Sequence, residues 1–446
     1  MRGRCSNGWP TSWPATRGAD VRVLVIGGGI GGLALAHGLR GAGVEVSVHE
    51  RDRAVGSRWE GYRIHINPTG ARALNALLPA GAWQEFLATA GPGGDFGFLT
   101  EQLRQLMVVE ETIMYPDAAE ASEGHYAADR ATLRRLLTGG LEDVVRFGAE
   151  FVGYEQRSDG RVEARFADGS TAVGDVLVGA DGPASRVRGQ LLPQAVPVDA
   201  GVVGVAHKIW LDDDDARASL GRLGTGMNAV QPNAPCFLFT SVFEPPAATG
   251  ARPYVLCALV ARAEVFPSDV TELDAAALRA VVDVLVAGWH PDLRRALAGA
   301  DPESRSAVAF RAAPPVPVWP SGAVTVLGDA VHVMPPIGGL GGNTALRDAH
   351  LLSRLLPAAA RGDRALPDAL GEYEAEMRDY GTAAVRYAVG QAEQLLTPGA
   401  AATAATRAFF RLCAAVPALR RRAFASGWTA PAAPRAWERS PASVNA

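Results

Sequence analysis

Cysteine is scarce and scattered: Cys5, Cys236, Cys257 and Cys413 are the only four in a chain of 446 residues. No two form a CxxC pair, so neither a thiolate metal cluster nor a disulfide scaffold is expected. Buried free thiols in a reducing compartment are the expectation. Lysine is scarcer still, with Lys208 alone. Neither sign of charge dominates: the formal net charge is -4 and the pI about 6.1. That leaves no basic footprint for nucleic acid. Long apolar runs are missing too. Residues 1–20 lack the continuous apolar stretch of a signal peptide and read as a disordered leader. Arg407 and Arg411 interrupt the apolar region 401–418, which is too short and too charged to span a bilayer. No HxxxH or carboxylate cluster has metal-ligand spacing. The expectation is a cytoplasmic protein with no metal, membrane or nucleic-acid partner.

What is present is a large apolar fraction, 48% of residues, enough to build a sizeable core. The length exceeds one ordinary domain, so two coupled domains are expected. Residues 21–26 (VRVLVI) read as a buried strand, and GGGIGG at 27–32 follows directly. LALAHGLRGAG then reads as a helix ending in glycine, and VEVSVHE at 44–50 as a second strand. In this unit Gly27 permits the tight turn, Gly29 lets the backbone approach a pyrophosphate, and Gly32 lets the helix pack on the sheet. The N-terminus of that helix would point free N–H groups at the phosphates. Glu50 ends the second strand, where a carboxylate accepts from ribose hydroxyls and repels a 2′-phosphate. The site therefore calls for a dinucleotide other than NADP, and FAD or NAD stays open on these residues.

Residues 61–66 (GYRIHI) alternate like a strand, and Pro68 opens a short helix. The segment 83–118, with Phe86, Phe96, Phe98 and Met107, reads as lid, pocket wall or core. A helix is expected over 127–138, with Asp129 able to cap it. Arg130 in its first turn gains nothing from the helix dipole, which suggests that it meets an anion or a ligand carbonyl. A strand-rich meander fills 151–179 and leads to Asp181-Gly182. A further buried strand, 323–328, delivers Asp329 to a cleft, and the loop 335–342 follows. A helix is expected to start near Asn343, with that residue as cap and its N–H groups facing the cleft. Residues 200–265 and 306–313 are strand-like around a helix at 272–287. Helices are expected over 369–395 and 402–427, broken by Pro398, Pro417 and Pro431.

Three motifs together resemble the class A flavoprotein monooxygenases, the p-hydroxybenzoate hydroxylase-like family. GGGIGG with Glu50-Arg51 is similar to that family's first FAD motif. GADGPASRVR at 179–188 is similar to its Asp-Gly motif, and GDAVHVMPPIGGLGGNTALRDA at 328–349 to its Gly-Asp motif. The resemblance implies an α/β fold: a Rossmann-like FAD-binding domain with an inserted, mostly antiparallel substrate sheet and a helical C-terminal segment. The expected division is 21–190 for the first part of the FAD domain, with a substrate-side excursion at about 60–110. Residues 191–315 form the substrate domain, 316–365 the second part of the FAD domain, and 366–446 the C-terminal helices.

The resemblance also implies roles. Gly27, Gly29, Ile30 and Gly32 would hold the pyrophosphate, Glu50 the adenosine ribose, and Arg51 would line the site. Arg130 would lie near the flavin chain, and Asp329 would bind the ribityl or pyrophosphate region. Asp181 would serve FAD and the docking of NADH or NADPH. Pro335 and the run Gly338, Gly339, Leu340, Gly341, Gly342 and Asn343 would pass by the isoalloxazine. Leu340 departs from the glutamine that many members carry, which a backbone contact tolerates. No second strand–GxGxxG–helix unit is present, as in a family without a separate NAD(P)H domain. The implied reaction is hydroxylation of an aromatic or polycyclic small molecule through a flavin C4a-hydroperoxide. Epoxidation, Baeyer–Villiger-type insertion and a non-catalytic flavin- or ligand-binding protein are the alternatives. A halogenase-like relative ranks low, since no Trp-rich motif follows residue 32. Tyr62, His65, His125 and His207 are the candidate substrate bases, while His332 reads as structural packing under the loop. A monomer or homodimer is expected.

Overall fold

The computed structural model describes residues 21–56, 61–116, 118, 120–212, 217, 218, 220–396 and 399–425. The expected leader at 1–20, Pro398, and the tail beyond 425 lie outside the described residues.

The β-branched run Arg22–Ile26 forms the centre of a five-stranded parallel sheet. Its order is Val324–Val326, Val176–Gly179, Arg22–Ile26, Glu45–Glu50, Val145–Phe147. A sheet buried on both faces needs apolar side chains on both, and Val23, Leu24, Val25 and Ile26 are all buried. The helix Ile30–Gly41 packs against it, Leu340–Ala360 packs on that helix, and the 30-residue helix Leu366–Leu395 packs on Leu340–Ala360.

A second, seven-stranded sheet runs Ser306–Ala312, Val198–Trp210, Tyr254–Arg262, Cys236–Phe243, Met227–Val230, Phe96–Leu99, Gln105–Val109. It is antiparallel except where Met227–Val230 runs parallel to Phe96–Leu99. Side chains alternate between its faces. One face, with Val205, Leu238, Cys257 and Leu259, packs on the helices Ala275–Leu285 and Pro291–Ala298. The other, with Phe237, Phe239 and Val260, turns toward Ile337 and the end of the helix Leu366–Leu395. A small antiparallel sheet of Arg63–Ile66, Tyr126–Asp129 and Gly91–Pro92 stands between the two large sheets. Another small sheet carries the meander at 151–174.

The α/β class and the inserted, mostly antiparallel sheet agree with expectation. Two local readings need correction. Residues 126–129 are a strand, because Ala127 and Ala128 pair with His65 and Ile64, and the helix starts at Arg130. Asp129 still caps it, accepting from Thr132 N at 3.0 Å. Of the readings open for 83–118, core is the one met by Phe96 and Phe98: both are buried in a sheet strand, and Phe98 packs at a tilt on Phe410 of the C-terminal helix Ala400–Ala415, with ring centroids 4.2 Å apart. The second correction concerns Asn343 and belongs to the site.

No helix among the described residues is long and apolar enough to cross a membrane.

Candidate flavin site

The strand Arg22–Ile26 ends at Gly27, whose φ of +112° only glycine adopts without strain. A Cβ on Gly27 would collide with the Ala180 carbonyl, and one on Gly32 with the Gly27 carbonyl. These two glycines are required by packing alone. Gly29 is different: a Cβ there meets nothing within 4 Å, and its φ is an ordinary −83°. The space above it is open, so its need for glycine lies outside the protein's own packing.

Gly29 is the N-cap of the helix Ile30–Gly41, which has no side-chain cap and no acid in its first turn. The helix Leu340–Ala360 begins on Gly339, at φ +65°, and likewise has no side-chain cap and no acid in its first turn. Small residues bring the two helices together. A Cβ on Gly31 would lie 3.3 Å from that of Ala345, and one on Gly38 2.6 Å from that of Ser353. Seven residues onward in one helix matches eight in the other, so they run in the same direction with adjacent N-termini. Each end carries unpaired N–H groups and roughly half a positive charge. Two such ends side by side form an anion site that no group among the described residues caps.

Asp329 follows the strand Val324–Val326 and stands beside these ends, its Oδ1 3.7 Å from a Cβ placed on Gly341. Its carboxylate has no hydrogen-bond partner among the described residues. Burial pushes its pKa up, against the charges of His332 and Arg130. Behind it the turn is locked. Asp348 accepts from Gly328 N at 2.7 Å, lies 2.6 Å from His332 Nε2, and accepts from Tyr380 OH. Burial alone would discharge His332, but the charge and hydrogen bond of Asp348, helped by Asp329, outweigh it and raise its pKa. Tyr373 OH holds the Val326 carbonyl at 2.8 Å.

Glu50 sits at the end of its strand, 5% exposed. Oε2 accepts from Gly28 N and Oε1 from Asp52 N, each at 2.8 Å. Arg134 completes this corner: Nε donates to the Gly28 carbonyl at 2.9 Å, Nη1 lies 3.0 Å from Asp52 and Nη2 3.2 Å from Glu50. Sequence reasoning singled out Arg130 and missed Arg134. The available signal was an arginine among Leu133, Leu136 and Leu137, on the buried face of an amphipathic helix. Arg130 is exposed at the start of that helix and lies within reach of Asp329's charge. Arg51 is exposed.

Asp181 is brought to the turn by its backbone, but its carboxylate is engaged locally. It accepts from Ser185 Oγ, from Arg186 N at 2.8 Å and from Val187 N at 3.2 Å. Pro335 is buried, while Gly338, Gly339, Gly341 and Gly342 are half-buried. Leu340 points into a cluster with Val333, Met334, Val385 and Ala388, so only its backbone is free to meet a ligand. Asn343 does not cap the helix. The αL turn at Gly339 lets the helix start at Leu340, leaving Asn343 inside the first turn and 2% exposed. Its side chain accepts from Asn67 N at 2.9 Å and donates to the carbonyls of His65 at 2.8 Å and Gly339 at 2.7 Å. It pins the helix start to the strand Arg63–Ile66.

The candidate bases separate. His65 and His125 come together with Tyr115 and Glu111. His65 Nε2 lies 3.1 Å from Tyr115 OH, the two imidazole centroids are 5.3 Å apart, and His125 Nε2 is 2.7 Å from Glu111 Oε1. Burial, with Arg63 and His125 nearby, drives the His65 pKa well down. Tyr62 OH donates to the Ser304 carbonyl at 2.6 Å. His207 is fully buried on the helix-packed face of the seven-stranded sheet, paired across strands with Cys257. The period-2 alternation thus turns it away from the flavin side.

An FAD molecule fits what is present: an open cradle at Gly29, two unfilled helix N-termini, an unpaired Asp329, and Glu50 at the strand end. A family profile described as "FAD binding domain" matches residues 20–388. The dual O-methyltransferase/FAD-dependent monooxygenase of Phaeosphaeria nodorum is 32% identical over 76% of this chain. The chain spans 40% of that relative's length and 45% of a similarly named Cercospora beticola protein. A FAD-dependent urate hydroxylase of Klebsiella oxytoca is 28% identical over 80% of this chain and 86% of its own length. Among solved structures, a Photorhabdus luminescens protein described as a FAD-containing monooxygenase superposes with a TM-score of 0.77. It is 35% identical, over 84% of this chain and 99% of that one. Klebsiella pneumoniae HpxO, complexed with FAD and uric acid, shares the fold with a TM-score of 0.75 at 24% identity, over 91% of this chain and 97% of that one.

Proposed function

Since the chain belongs to the class A FAD-dependent aromatic hydroxylase family, we propose that it is itself an FAD-dependent monooxygenase that hydroxylates an aromatic or polycyclic small molecule. The observation that carries this reading is the pair of uncapped helix N-termini with Asp329 beside them and open space above Gly29. The reaction consumes the substrate, O2, NADH or NADPH and a proton. It yields the hydroxylated product, the oxidised nicotinamide and water. When bound, the flavin would take a hydride from the nicotinamide and activate dioxygen for transfer of one oxygen atom.

The protein's part is binding, orientation and exclusion of water. The first N–H groups of the helix Ile30–Gly41 hold the pyrophosphate. Glu50, already fixed by Gly28 N, Asp52 N and Arg134, has lone pairs left for ribose hydroxyls. Asp329 accepts from the hydroxyls of the ribityl chain. Pro335 and the backbone from Gly338 to Gly342 follow the flavin ring. The N-terminus of Leu340–Ala360 would favour negative charge on the flavin ring when it is bound. Arg51 and Arg130 line the outer edge. Asp181 serves FAD and the docking nicotinamide through its turn, since its carboxylate is spent on the helix start. Phe237, Phe239 and Ile337 form the apolar roof that keeps water out. The same reading assigns 21–190 and 316–365 to the flavin unit and 191–315 to the substrate unit.

The test is loading the purified protein with FAD and following NAD(P)H oxidation in air across phenols and polycyclic phenols. Substrate-stimulated oxidation, with product mass increased by one oxygen, supports the proposal. A protein that cannot be loaded with FAD contradicts it.

A further inference from the structure

Arg63 is a buried cation that no group among the described residues neutralises. It lies on the strand Arg63–Ile66, two residues from His65 and on the same face. That face turns toward the seven-stranded sheet, where Arg63 Nε donates to the Val242 carbonyl at 3.2 Å. Its Nη2 is buried with no hydrogen-bond partner, and no carboxylate pairs with it among the described residues. Burial pushes its pKa down to about 10, with Tyr254 and Tyr115 opposing. Two further buried polar atoms nearby are also unpartnered: His65 Nδ1, and Ser241 Oγ on the residue before Val242. The backbone carbonyl of His65 is held by Asn343, and a Cβ on Gly339 would lie 3.1 Å from His65 Cβ. The group therefore stands between the loop assigned to the flavin ring and the sheet that roofs it. Leaving a guanidinium edge buried and unpaired is costly, and native proteins satisfy such groups.

We propose that Arg63 is the anion-binding residue of the substrate pocket, taking a substrate that carries a negatively charged oxygen, whether carboxylate, phenolate or enolate. This rests on the monooxygenase reading above, because the pocket is defined by the flavin loop. The charge selects acidic substrates over neutral isosteres, and the planar fork orients the oxygen. His65 Nδ1 and Ser241 Oγ supply the neighbouring polar contacts. Arg63 is a specificity residue, and the oxygen-transfer chemistry remains the flavin's.

The experiment uses FAD-loaded wild type, Arg63→Met and Arg63→Lys. The probes are hydroxylated benzoate, naphthoate and anthracene-carboxylate, each beside its carboxamide. Binding is read from the perturbed flavin absorbance, and melting temperature is measured without probe. The wild type is expected to bind at least one acid in preference to its amide. Arg63→Met weakens the acid roughly ten- to a hundredfold and leaves the amide within about twofold. Arg63→Lys retains part of the preference. Without probe, Arg63→Met melts at the wild-type temperature or above it, because an uncompensated buried charge is gone. Equal acid binding by Arg63→Met, no acid preference in yellow wild type, no binding of any probe, or a lower melting temperature for Arg63→Met would each overturn the inference while leaving the flavin assignment standing. A wild type that takes up no FAD overturns both.

Discussion

Two buried arginines in this chain have opposite surroundings. Arg134, beside the flavin turn, is tied to the Gly28 carbonyl, Asp52 and Glu50. Arg63, on the side proposed for the substrate, has one carbonyl and no counter-charge among the described residues. The flavin side is thus preorganised by the protein itself, with Asp329 and two helix ends kept open for the ligand. The substrate side leaves its charge waiting. A fixed cofactor repays a corner built in advance, whereas a substrate must supply part of its own recognition.

Breaking the flavin side at its open point gives the largest effect. Gly29→Val adds bulk where the protein has free space and ordinary backbone angles, so the variant should fold with a normal circular dichroism spectrum and purify colourless. A yellow Gly29→Val protein would remove the pyrophosphate assignment. Next comes Arg134→Met, which strands Glu50 and Asp52 as buried charges and should cost roughly 3–5 kcal/mol in denaturant unfolding. Arg63→Met should cost nothing by the same measurement, and equal losses for the two would erase the comparison.

A third prediction probes the layer behind the flavin. Glu374 is fully buried on the helix Leu366–Leu395 and accepts from Ser321 Oγ at 2.6 Å. Burial raises its pKa to about 7, despite the hydrogen bond from Ser321. A raised carboxyl pKa means that the folded state holds its proton more tightly than the unfolded chain. Its contribution to stability is therefore full below pH 4.5, the ordinary value, falls as pH rises to about 7, and is flat above. Glu374→Gln should lack that decline and gain on the order of 3 kcal/mol on wild type between pH 4.5 and 8. Parallel pH–stability curves would show that this carboxyl is not buried against its charge. The smallest effect belongs to Asp329→Ala. The lost contact should weaken FAD about ten- to a hundredfold, roughly 1.5–3 kcal/mol, by titration of the apoprotein, with little change in its melting temperature. Unchanged FAD affinity would contradict the role given to Asp329.

The parts of the fold written in local patterns were legible in the sequence. Val23 to Ile26 announce a buried strand, the glycines at 27, 29 and 32 announce the turn, and the strand-like runs over 200–265 announce the sheet. Strand ends likewise placed Glu50 and Asp329. What escaped depends on partners far away in the chain. Arg134 meets Gly28, Asp348 meets His332 and Tyr380, and Asn343 meets Asn67 and His65. No local rule announces such pairings. The helix at 340–360 was misread by three residues because αL glycine at 339 permits an earlier start than an asparagine cap suggests. His65 and His207 look alike as lone histidines in strands, and only the packing of the sheets puts one beside the flavin loop and the other behind the roof.

The most direct test of the central claim is a single-turnover reaction of the FAD-loaded protein with NAD(P)H, an acidic phenol that it binds, and isotopically labelled dioxygen. The account predicts a product carrying one labelled oxygen atom, with the flavin returned to its oxidised yellow form. A product that has lost hydrogen without gaining labelled oxygen, from a protein that nonetheless holds FAD, would contradict it.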